Sequence, residues 1–121
     1  MASKVILTES FKKDAKKIAK KHKSIGNDIK LVIEKLEDDP YLGDRIGVQS
    51  YKIRFAIKSK GRGKSGGGRL ITYINISAES KIENDQIYIY LVAVYDKSVV
   101  SMIPDKDINE RISSEIITEE E

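Results

Sequence analysis

The sequence predicts an α+β fold: β-α-α-β-β-β, an antiparallel sheet covered on one face by a helical hairpin, then a weaker C-terminal helix. Three observations point to it. Apolar residues recur at helical spacing from Phe11 to Leu36 and at strand spacing from Tyr51 to Ile57 and from Leu70 to Ile76. The run from Gln86 to Tyr95 is apolar on both faces, as a central strand is. The connections between the later runs are polar, rich in glycine or serine, and too short for crossovers, so those strands should pair antiparallel.

At 121 residues with 40% hydrophobic content the chain makes one domain, 1–121, with a modest single core. It has no Cys and one His, which removes disulfides, thiolate metal sites and imidazole clusters, so neither a metal nor another cofactor is expected. The N-terminus turns polar after Leu7 and no later apolar run approaches ~20 residues, so the expectation is a soluble cytoplasmic protein without a membrane partner.

Val5 to Leu7 reads as a first strand passing into a helix capped by Thr8 or Ser10. Phe11, Ala15, Ile18, Ala19 and His22 form one helical stripe, with His22 as a structural member. Lysines 12, 13, 16, 17, 20, 21 and 23 fill the remaining surface, as a solvated face or as phosphate contacts. Ser24 is the next cap, and Ile25, Ile29, Val32, Ile33 and Leu36 repeat the stripe until Pro40 stops it. A short strand is expected at Arg45 to Val48. Tyr51, Ile53, Phe55 and Ile57 then alternate with Lys52, Arg54, Ala56 and Lys58, giving one apolar and one basic face. Pro104 opens the final helix, which runs to about Ile117. The tail 105–121 carries a net charge of minus five, and it frays, folds over the basic face or stays solvated.

Charge points to function. Seven cations lie between Lys52 and Arg69, and no acid occurs between Asp44 and Glu79, so a polyanion is the expected partner. Gly61, Gly63 and Gly66 match a dinucleotide fingerprint in spacing only, because a strand follows where a helix is needed. Gly63-Lys64-Ser65 ends like a P-loop, but Lys58 stands where that motif requires Gly. The glycines otherwise suit a flexible hairpin tip. Cations that continue down the strands as Lys52, Arg54 and Arg69 describe a basic face instead of a soluble tip. Tyr95, beside Asp96 and Lys97, is the tyrosine placed to stack on an unpaired base.

YKIR, followed by GKSGGGR, a strand and IYLVAVYDKS, resembles the RelE/HigB toxins of toxin–antitoxin pairs, and the resemblance spans nearly the whole chain. It implies two helices on an antiparallel sheet, messenger RNA cleavage at the ribosome, and a cognate antitoxin as partner. By motif position it implies Lys52, Arg54, Arg69 and Lys97 as catalytic; the hairpin cations Lys58, Lys60, Arg62 and Lys64, with Tyr95, are the candidate RNA-binding residues read from charge and stacking. The family's late tyrosine falls near Ile103 here, which leaves the general acid unassigned. The chemistry is attack of a 2′-OH on the adjacent phosphate, which requires no metal. Lys52 is the candidate base, Arg54 and Arg69 hold the phosphorane, and Lys97 assists the leaving oxygen or anchors the backbone. A non-enzymatic binder on the same fold, resembling the ParE gyrase inhibitors, is the alternative. An antitoxin is expected to mask the basic face or the C-terminal segment, where Val99, Val100, Met102 and Ile103 would dock a helix.

Overall fold

The computed structural model describes residues 2–60, 67–77 and 86–117. Strand β1 (Ala2–Leu7) leads into α1 (Glu9–Ala19) and α2 (Ile25–Asp38). Then come β2 (Asp44–Gly47), β3 (Ser50–Phe55), a 3₁₀ turn (Lys58–Lys60), β4 (Gly68–Ser77) and β5 (Gln86–Asp96). Helix α3 (Asp105–Ile112) continues into a π-helical turn (Ser113–Ile117). The result is a mixed α+β fold with a five-stranded sheet in the order β1-β5-β4-β3-β2.

Local chemistry sets the element ends. Thr8 caps α1, its hydroxyl accepting from the Phe11 N–H at 3.2 Å. Ser24 precedes α2 without capping it; its hydroxyl donates to Asp28 instead, at 2.6 Å. Gly43 has φ +100°, and a Cβ there would meet the Lys52 carbonyl, so only glycine turns the chain into β2. Gly68 is held to glycine for another reason: a Cβ would run into the Phe55 ring across the ladder.

Two expectations are corrected. The sheet is antiparallel except at β1, which runs parallel to β5 over Ala2–Leu7 and Gln86–Leu91. That pairing covers an edge of β5 that would otherwise leave its N–H and C=O groups unpaired. Both faces of the sheet are also covered, not one. Phe11 of α1 and Ile25, Ile29, Val32 and Leu36 of α2 pack against Ile53, Leu70, Ile74, Ile89 and Leu91. On the far face Ile108, Ile112 and Ile116 pack against Ile71, Val92, Ala93 and Tyr95. A strand apolar on both faces needs two covers, and each buried isoleucine contributes about 1.5–3 kcal/mol. The acidic tail thus supplies the second layer as far as Ile116.

A bulge in β5 decides which side chains share that far face. Ile71 lies opposite Ala93 but Thr72 opposite Leu91, leaving Val92 without a partner of its own. Leu91 and Val94 therefore face α1 and α2, while Ala93 and Tyr95 face α3. Beyond Leu91, β1 has left the sheet. Asp14 of α1 takes over there, accepting from the Val94 N–H at 3.2 Å, and Arg111 of α3 donates to the Val92 carbonyl at 3.0 Å. Arg111 also pairs with Asp14 at 2.9 Å. Glu115 completes the latch, accepting from the Ser10 N–H at 3.0 Å and from its hydroxyl. A buried edge is thereby satisfied and α3 is tied to α1.

Among the described residues no helix is long and apolar enough to cross a membrane.

Candidate nucleic-acid interface

Register builds the site. Arg54 of β3 lies directly opposite Arg69 of β4, and Arg69 directly opposite Tyr95 of β5. Directly opposed residues share a face, so the three form a row across the end of the sheet, with Lys52 on the same face two residues along from Arg54. Lys97 follows the last residue of β5, and its N–H donates to the Gly67 carbonyl at 2.9 Å, which holds it at the same end. The structure thus brings Lys52, Arg54, Arg69 and Lys97 to one end of three adjacent strands.

Their environments differ. Arg54 and Lys97 are exposed and Lys52 is half-buried, and none of the three has an ion pair among the described residues. Arg69 is only 7% exposed, and its Nη1 donates to the Gly68 carbonyl at 3.0 Å. Like charges directly opposed across a ladder disfavour pairing by a few tenths of a kcal/mol or more, and an anion shared by the two would offset that.

Tyr95 is 5% exposed, with its ring in the cluster under α3, so it offers no open face for stacking on a base. Burial pushes its phenol pKa up, and the Arg69 charge beside it works the other way. Its place in the row makes it a wall for Arg69. Lys60 is also engaged: its Nζ donates to Asp96 at 3.0 Å and to the Ser98 hydroxyl at 3.2 Å. Lys58 is exposed on the 3₁₀ turn, its backbone N–H bound to Asp28. Arg62 and Lys64 lie outside the described residues.

One cluster is absent from the sequence reading. Asp96, nearly buried, gathers Lys60, the Ser98 N–H and hydroxyl at 3.0 and 2.8 Å, and His22 Nε2 at 3.4 Å. Burial alone would raise its pKa, but the hydrogen bonds from Lys60 and Ser98 outweigh that and hold it below the usual carboxylate range. Helix α1 ends at Ala19, so His22 lies beyond the helical stripe expected to include it, and its Nε2 meets Asp96, a partner 74 positions away that no local pattern could name.

Set against known protein families the chain matches none, and no curated protein matches it.

Proposed function

We propose that the chain is an endoribonuclease toxin resembling the RelE/HigB proteins, which cleaves messenger RNA on the ribosome and is silenced by a cognate antitoxin. The observation that carries this reading is the opposed pair Arg54 and Arg69, flanked by Lys52 and Lys97. Diffuse positive charge suffices for docking, whereas two arginines at directly opposed positions on a ladder could each offer a planar fork to the equatorial oxygens of one phosphorane.

In this reading the 2′-OH of the bound RNA attacks the neighbouring phosphorus and gives up its proton to Lys52. Arg54 and Arg69 stabilise the doubly charged phosphorane. The P–O5′ bond then breaks, leaving a 2′,3′-cyclic phosphate, and the departing O5′ takes a proton from Lys97 or from solvent to give a 5′-hydroxyl end. Much of the rate would come from positioning of the RNA, which the ribosome would supply. Docking without chemistry, as in a ParE-like gyrase inhibitor, has in its favour the burial of Arg69, which is 7% exposed.

Expression of the chain alone, with and without its neighbouring gene, tests the proposal. Growth arrest with new 5′-hydroxyl ends on translated messengers, both abolished by the neighbour, is the expected result. Growth arrest without messenger cleavage would overturn the nuclease reading.

A further inference from the structure

Where β1 leaves the sheet, β5 runs on from Val92, and a cleft of about 380 Å³ opens there between α1, the segment 99–104 and α3. Its outer wall is apolar and uncovered: Val99 is 67%, Val100 40% and Met102 57% exposed. Such side chains cost solvation free energy unless something covers them.

Charge limits what that is. The inner carboxylates are already answered, Asp14 by Arg111 at 2.9 Å and Asp96 by Lys60 at 3.0 Å and His22 at 3.4 Å. On the α1 side of the mouth, Lys17 and Lys21 are exposed and have no ion pair among the described residues. One exposed acid, Asp107, faces them from α3. An apolar trough with a cationic lip fits a flat apolar body carrying an anionic end. Its volume suits one small ligand, whereas a helix laid in a groove needs anchors over several turns. Tyr95 connects the cleft to the cation row, since it lines the cleft and stands opposite Arg69.

We propose that this cleft is a nucleotide subsite: it holds the base of the nucleotide next to the scissile phosphate, with the far phosphate of that nucleotide at Lys17 and Lys21. The identity of the ligand rests on the reading of the chain as an RNA-cleaving protein. Base preference in cleavage then comes from the walls Val100 and Met102 and not from the arginine row.

Methyl-labelled protein titrated with AMP, GMP, CMP and UMP, and with ribose 5-phosphate as a control lacking a base, tests this. The Met102 and Val100 methyls should shift with at least one nucleotide and not with the sugar phosphate. Lys21→Glu, at an exposed position, should weaken that binding roughly tenfold, and Met102→Ala should change which base is preferred. Unperturbed spectra elsewhere confirm that both variants fold. Equal shifts with ribose 5-phosphate, shifts confined to the arginine row, unchanged binding by Lys21→Glu, or a response only to a partner protein would each overturn the subsite. Its failure is separable from that of the nuclease reading. If wild type, Lys21→Glu and Met102→Ala cleave messengers with one preference, the subsite falls and the nuclease stands. If wild type cleaves nothing while the methyls respond to nucleotides, nucleotide binding in the cleft stands and the nuclease falls.

Discussion

Replacing the opposed arginines one at a time separates catalysis from stability, because the two are buried to such different extents. Arg54 is exposed and faces Arg69. Removing it as Arg54→Ala should leave stability within about 0.5 kcal/mol, with relief of like-charge repulsion offsetting the lost packing. If its guanidinium holds the phosphorane, cleavage should fall roughly 100-fold, about 2.7 kcal/mol of transition-state stabilisation. Arg69→Lys keeps the charge but loses the planar fork. The hydrogen bond of Nη1 to the Gly68 carbonyl is lost as well. The structural cost should be about 1 kcal/mol, while cleavage falls at least tenfold and is not rescued by the retained charge. Single-turnover messenger cleavage on programmed ribosomes, beside urea unfolding of the same preparations, reads both quantities. Should both variants cleave within about threefold of wild type while ribosome binding weakens, the arginines only dock, and the argument from their opposition is wrong.

Two further outcomes rest on packing and on charge. Ile116→Ala, at a position 1% exposed, should cost about 3 kcal/mol and lower Tm by roughly 10 °C; an unchanged Tm in thermal melts would show that the far-face layer is not part of the folded core. Asp96 has a lowered folded pKa, so its stabilising contribution is complete above the usual carboxylate pKa and is lost as pH falls through the folded value. Asp96→Asn should therefore be less stable at neutral pH and show a shallower loss of stability below about pH 4. Urea midpoints measured from pH 7 to pH 2 would refute this if the two curves ran parallel.

Much of the fold was legible because it is written in local periods. The stripes of α1 and α2, the alternation of β3, and the double-sided apolarity of β5 all appear as residue spacings. The tail carried its own signal: Ile108, Ile112 and Ile116 recur every four residues, a stripe outweighed in the sequence reading by seven acids that lie around it. Non-local facts were not legible. Nothing near Val5 says that β1 lies beside β5, and the latch of Asp14, Arg111 and Glu115 joins residues 97 and 105 positions apart. The cation row was visible as composition, and strand alternation put Lys52 and Arg54 on one face. That Arg69 would be walled in by Tyr95, that Tyr95 would be buried, and that Lys60 would be spent on Asp96 all depend on register and on the fold of α3.

The extra residue in β5 places a constraint on strand register that substitution alone would not reveal. Val92 shifts the phase of the strand, and that shift puts Tyr95 beside Arg69 and turns Val94 toward α1 and α2. If β5 paired without the bulge, with Val92 opposite Ile71, the two faces would be exchanged for the rest of the strand. Tyr95 would turn toward the helical hairpin, Val94 would stand in the row of arginines, and the Asp14 and Arg111 contacts would lose their backbone partners. Conservative replacements at 92 and 93 should pass with modest loss, and deleting Val92 would leave the same partners opposite one another in an uninterrupted ladder, whereas a slip of register that keeps all residues paired dismantles core, latch and cation row together.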